Sequence, residues 1–362
     1  MPALPHLGSR STAFDRVHEG SPFLVSKMRN RRPYTAASPG FSAVLLGVCV
    51  GVVSLLWVPA LAQTYPTKPV KLVVAYPPGG PTDILARLLS PNLQTAFGQP
   101  FVVESRPGAG GNLGTNFVAK SPADGYTILL TASGPIAINP TLYKTLPYDP
   151  LTDLTPIIHV ASVPLVLVVH PSFPASTVEE LIALLKSKPE GYSFASAGNG
   201  TPQHLSAELF KKMADVKMVH IPYKGSAPAI NDLVAGHVSL SFESMVSVLP
   251  YIQGGRLRAL ATTGAERSNL LPDVPTIAEA GLPGYLSIAW YGVVAPSGTP
   301  RDIIDKLNLE MGKALDTPEI RQRITELGSA PVNGTPEQFG AFIRSETVRW
   351  SKVVRESGAT VD

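Results

Sequence analysis

The chain has 362 residues, 44% of them apolar and 16% charged, which is ample for a buried core and excludes a disordered tail or a coiled coil. Residues 1–62 hold six Lys/Arg against two acids, so the remaining 24 basic and 25 acidic residues leave 63–362 at a net charge of −1. A body this close to neutral carries no electrostatic footprint for nucleic acid.

No charged residue falls between Arg32 and Lys68, and inside that gap lies the apolar run FSAVLLGVCVGVVSLLWV, residues 41–58. Pro59 and the small-residue triplet Ala60-Leu61-Ala62 follow it. Basic residues, an apolar run and an A-x-A end predict a secretory signal over 1–62, cleaved after Ala62. Met28 heads a shorter version and is a second candidate start. The rival reading is a retained membrane anchor, since the run reaches the lower limit of a spanning helix. The single cysteine, Cys49, sits in the run, so the expected mature chain has no thiol. Disulfides, thiol catalysis and cysteine-bound metal are thereby excluded, and the expected compartment is the periplasm.

From Gln63 onward short β-like runs alternate with amphipathic stretches, which predicts an α/β fold. Strands are expected at 70–76, 101–105, 126–132 and 165–170. In AYPPGGPTDILARLL (75–89) a Gly-Pro loop joins strand to helix. Gly79 and Gly80 let the backbone approach a ligand, and Thr82 or Asp83 is placed to cap the helix. A helix start of this kind suits an anion, although an ordinary capped turn has the same sequence. RPGAGGNLGTNFVAK (106–120) is a second Gly-rich turn, and Leu113 stands where a dinucleotide-binding fingerprint needs glycine. The Pro- and Asp-rich segment 145–156 reads as a connector between two α/β regions, with a crossover near 160–165.

Farther on, Val178, Leu181, Ile182 and Leu185 mark a helix. FASAGNGTPQHLSAELF (194–210) repeats the strand, Gly-loop, helix layout, with Thr201 as N-cap, Pro202 at the first helical position and Leu205, Leu209 and Met213 as the buried stripe. Similar TP helix starts recur at 297–300, 316–319 and 333–336. Ile304, Leu307, Met311 and Leu315, then Phe339, Phe342, Ile343, Trp350 and Val354, form two core-facing stripes. Ser196, His204 and Asp83 invite a hydrolase triad, but the G-x-S-x-G elbow is absent. The seven histidines show no metal-ligand spacing. No cofactor, metal or catalytic residue is therefore expected.

Seven segments taken together resemble the solute-binding proteins of tripartite tricarboxylate transporters, the Bug or TctC-type family. They are 65–87, 103–129, 138–157, 196–211, 220–236, 254–285 and 295–308, with YPTKPVKLVVAYPPGGPTDILAR and SAGNGTPQHLSAELFK among them. The resemblance implies a periplasmic binding protein-like fold, two α/β lobes with a ligand cleft between them. The first lobe would comprise 63–164 and 286–362, and the second 165–285. It further implies a monomer that captures a small carboxylate solute and delivers it to inner-membrane permease subunits. A sensor presenting ligand to a signalling partner would use the same cleft.

The resemblance places the ligand between two loops, one carrying Tyr76, Gly79, Gly80, Thr82 and Asp83, the other Ser196, Gly198, Asn199, Thr201 and His204. Ser133, Asn139 and Tyr223 are expected at the ligand's other end. The chain departs from the family pattern at GHVSLSFES, where Ser239 and Glu243 occupy positions that usually carry Asp. Glu243 is either a cleft contact or part of a lobe hinge.

Overall fold

Val70–Val74 (β1) is apolar except for Lys71, the one exposed position. A strand buried on both faces reads this way when parallel neighbours flank it. Its neighbours are Phe101–Ser105 (β2) and Thr127–Ala132 (β3), both parallel to it in a computed structural model that describes residues 65–361. The expected leader and its cleavage site lie outside the described residues. Helices Pro81–Phe97 (α1) and Asn112–Ala119 (α2) make the crossovers between these strands, so the C-terminal ends of β1 and β2 open onto helix starts.

The sheets of the two α/β lobes share one strand. Leu154–Val169 (β4) pairs antiparallel over residues 154–164 with Ile288–Pro296 (β9). Over residues 165–169 it pairs instead with Leu240–Ser244 (β7) and Arg258–Thr262 (β8). Beyond β7 come Ser193–Ser196 (β5) and Val219–Pro222 (β6), both parallel. The order across the whole sheet is β2-β1-β3-β9-β4-β7-β5-β6, with Ala330–Pro331 (β10) also on β4. The sequence marked only 165–170 as strand here and read 145–156 as connector, whereas the strand begins at Leu154. Pro156, His159, Ser162 and Pro164 hide it by interrupting the apolar pattern. Register shifts at Pro156/Ile158 and His159/Ala161 absorb the interruptions.

The helical stripes meet the core as their spacing requires. Arg301–Asp316 (α8) buries Ile304, Leu307, Met311 and Leu315. Pro336–Ser357 (α10) buries Phe339, Ile343, Trp350 and Val354, while Phe342 stacks on His159 with ring centres 4.5 Å apart. Thr201, Thr317 and Thr335 cap Pro202–Ala214 (α5), Pro318–Glu326 (α9) and α10 through their hydroxyls. At the fourth TP start the N-cap is Pro300, and Thr299 Oγ1 donates to Pro296 O without capping the helix. The stripe on α5 is a correction: Leu205 is buried, but Leu209 and Met213 are only half-buried. The first turns of α5 are instead enclosed on all sides, polar Gln203, His204 and Ser206 included.

Candidate ligand-binding site

Tyr76 to Gly80 leave β1 and enter α1. Gly80 is the N-cap and no side chain caps this helix, contrary to the expectation for Thr82 or Asp83. Asp83 reaches back along the helix, accepting from Gly79 N at 3.0 Å and from Arg87 Nε at 3.0 Å. Its carboxylate braces the loop, and Thr82 is free of capping duty. Thr82 Oγ1 is buried and without a hydrogen-bond partner among the described residues. Gly79 has φ +83, the left-handed region that favours glycine, and Gly80 does not.

The second loop, Ser196 to Thr201, runs from β5 into α5. Two stacked imidazoles underlie it, His204 and His220, with centroids 4.1 Å apart, and Phe194 stacks on His220 at 4.7 Å. Gly200 N donates to His204 Nδ1 at 3.2 Å, and Ser196 Oγ lies 2.6 Å from His220 Nε2. Burial pushes both imidazoles down, His204 to about 3 and His220 to about 4, so both are neutral and His204 Nδ1 remains an acceptor. Ser196 and His220 have the spacing of nucleophile and base. Ser196 is nevertheless fully buried, and its hydroxyl also donates to Gly198 O and accepts from Gly198 N. The pair is a tether for the loop.

Between the loops lies a cavity with about 380 Å³ of free space, counting its mouth. Three helix starts converge on it: Pro81 and Thr82 of α1, Pro202 and Gln203 of α5, and Ser226 and Ala227 of Ser226–Val234 (α6). First-turn amides have no intrahelical acceptor, and each helix dipole presents its positive end here. Tyr76, Pro77, Ala132, Ala197 and Tyr291 complete the wall, and no Lys or Arg side chain lines it among the described residues. An adjoining recess is bounded by Gly108 to Gly111, Tyr143, Gly198, Asn199, Tyr223 and Lys224.

The lobes touch around the cavity because glycine stands at the contacts. A Cβ on Gly134 would come within 2.7 Å of Gly200 O, and one on Gly225 within 2.8 Å of Pro77 Cδ. A Cβ on Gly110 would run into Asn199 O and one on Gly200 into Asn139 Oδ1. Tyr143 Oη donates across the gap to Asn199 O at 3.4 Å, while on its own side of the gap Tyr76 Oη donates to Gly110 O at 3.0 Å.

Tyr76, Gly80 and Thr82 line the cavity, and Gly198, Asn199 and Tyr223 line the recess beside it. Gly79, Asp83, Ser196, Thr201 and His204 stand behind the lining and hold the loops. Ser133 is buried next to Ala132 with its Oγ unpartnered among the described residues, and Asn139 Nδ2 donates to Asn112 Oδ1 at 2.5 Å. Glu243 lies under the floor, where its Oε2 accepts from Gln203 Nε2 at 3.4 Å. Sequence reasoning missed Gln203, Ser226, Ala227, Tyr291 and the 108–111 turn. Gln203 sits inside a motif already singled out. The 108–111 turn lies in the second Gly-rich turn, whereas Ser226, Ala227 and Tyr291 carry no local signal, since the return of distant chain brings them in.

Helix starts from two lobes closing over one cavity define a two-lobed solute-binding protein. The tripartite tricarboxylate transporter family receptor model, TctC, matches residues 85–359, and the chain belongs to that family of periplasmic binding proteins. Protein BugT of Bordetella pertussis is 44% identical over 302 residues, 83% of this chain and 93% of BugT. An R. palustris structure with adipate shares 40% identity at a TM-score of 0.80, covering 82% of this chain and all of the other. MatC from Rhodopseudomonas palustris, with malate bound, shares 33% at a TM-score of 0.78 over 80% of this chain and all of its own.

Proposed function

We propose that the chain is a periplasmic receptor that captures a small carboxylate solute and hands it to the permease of a tripartite tricarboxylate-type transporter. The observation that carries this reading is the meeting of three helix N-termini on one cavity. Backbone amides there solvate an anion without a dedicated arginine. Each end contributes about 0.3–1 kcal/mol at the surface and up to ~2 kcal/mol when partly buried. Lobe closure adds hydrogen bonds and removes water. The adipate and malate held by relatives support the same ligand class. In this reading the ligand leaves unchanged, so the chain is not an enzyme, and residues 1–62 are an export signal removed before it acts. The lobe boundaries fall at 164/165 and 285/286, which is supported by β4 changing partners between Pro164 and Leu165.

Protein stripped of ligand by unfolding and refolding should be melted near pH 6 with adipate, with malate and with the matching diamides. At 100 times the dissociation constant the bound acid adds about 2.7 kcal/mol of stability. A rise of several degrees with an acid, and a much smaller one with its diamide, is the expected result. No shift with any carboxylate would refute the reading.

A further inference from the structure

At the cavity floor the side chains of Gln203 and Ser226 form one polar group with Glu243 beneath them. Gln203 Nε2 donates to Ser226 Oγ at 3.1 Å and to Glu243 Oε2 at 3.4 Å. Both of its N–H bonds are thus directed inward, and its Oε1, to which no described residue donates, is the polar atom left for the cavity that Gln203 lines. Glu243 is wholly buried; Oε2 also accepts from Ser244 N at 3.3 Å, while Oε1 has no hydrogen bond among the described residues. An ionised carboxylate only accepts, so it holds the amide in this orientation. A protonated carboxyl donates, which favours the flipped amide with Oε1 on Glu243 and Nε2 turned to the ligand. The Ser226 hydroxyl serves either arrangement, since it both donates and accepts.

Resting on the carboxylate reading above, we propose that Glu243 and Gln203 select the ligand's polarity: ionised Glu243 makes Gln203 an acceptor for amides and other donors, and protonated Glu243 makes it a donor for carboxylates, so carboxylate capture takes up a proton at Glu243. Burial pushes the Glu243 carboxyl up to about 7, while Ser226, Gln203 and the Ser244 amide favour its charged form. The elements around it leave that balance to burial. On β4 Val166 is its register partner, and β5 pairs with β7 through Phe194 and Ala195. Helix α5 carries His204, Glu208 and Lys211 beyond Gln203, α6 carries Asp232 at its exposed side, and the helix at Met245–Gln253 carries Tyr251. From β9, Tyr291 faces it, and the Glu243 charge helps to push the Tyr291 phenol up.

The test is calorimetry with adipate, malate and adipamide between about pH 5.5 and 8.5, in two buffers of different ionisation heat. Wild-type affinity for a bound acid should fall above about pH 7 at close to tenfold per pH unit, with uptake of up to one proton per ligand. Any adipamide binding should strengthen in the same direction. In Glu243→Gln the slope and the uptake should be absent, and above the transition the acid should bind more tightly than to wild type. Gln203→Met, which removes the amide, should also lose the slope and serves if the first variant does not fold. Carboxylate binding that is independent of pH, or proton uptake that survives in these variants, would overturn the proposal and leave the carboxylate reading standing. Failure of every acid at every pH would sink both.

Discussion

Gly134 shows how a single hydrogen in place of a methyl group can govern binding. Its φ is not in the left-handed region, so alanine brings no backbone strain, yet the added Cβ would meet Gly200 O at 2.7 Å in the other lobe. The severe contact exists only when the lobes are together; the other close neighbour, Tyr76 Oη at 3.2 Å, lies in the same lobe and is the tip of a side chain. Overpacking of this kind costs about 1–3 kcal/mol. Gly134→Ala should therefore weaken carboxylate binding about 5- to 150-fold while the melting point of the empty protein stays nearly constant. Titration and melting of the same preparation check this, and an unchanged Kd would mean that the contact is not part of the ligand-bound state. Gly80 makes the contrast. With φ −86 and its nearest neighbour, Pro77 O, at 3.7 Å, it accommodates a Cβ, and Gly79 is the strained position of that loop.

At the scale of elements, two helix starts with the same four residues, NGTP, do different work. Thr335 caps α10 in a reciprocal arrangement, accepting from Gln338 N at 3.2 Å while Gln338 Oε1 accepts from Thr335 N at 2.9 Å. Thr201 accepts from His204 N at 3.4 Å and also donates to Gly198 O at 2.7 Å, so it fixes the loop as well as the helix. Alanine at either position should cost about 0.5–2 kcal/mol of stability. Only Thr201→Ala should also weaken ligand binding, because Gly198 borders the recess beside the cavity. Denaturation and calorimetry on both variants decide the point. Equal binding losses would remove the second loop from the site.

For the molecule as a whole, buried ionisable groups shape stability against pH. Burial lowers His159 to about 4, His204 to about 3 and His220 to about 4, from an unfolded value near 6.5. Between those limits the unfolded chain binds protons that the folded chain refuses, so stability rises with pH from about 4 to about 6.5. Glu243 acts the other way. Its folded value of about 7 exceeds the unfolded one, so its contribution is present at low pH and is lost as pH rises to about 7. Three histidines outweigh one glutamate, and the melting point should climb across this window and level off near neutrality. Glu243→Gln removes the opposing slope and should steepen the climb. A melting curve flat from about pH 4 to 6.5 would show that these imidazoles are not buried as described.

The sequence by itself determined most of the elements and half of the site. Strands such as β1 and β3 were legible because strands buried on both faces need unbroken apolar runs, and α8 and α10 because one-sided burial imposes a helical period. The two Gly-rich loops were legible because glycine before a capped helix marks a close backbone approach. Tertiary structure decided the rest. The first part of β4 was hidden because prolines and polar residues are tolerated where a strand bulges, and bulges leave no periodic trace. His204 looked like an ordinary first-turn residue until folding stacked it on His220, sixteen positions away. Ser226, Ala227 and Tyr291 entered the cavity only through the return of distant chain. Local spacing fixes which face of a helix is apolar, but the partners of a polar side chain are set by packing between elements far apart in the chain, and on such partners the binding chemistry of this receptor depends.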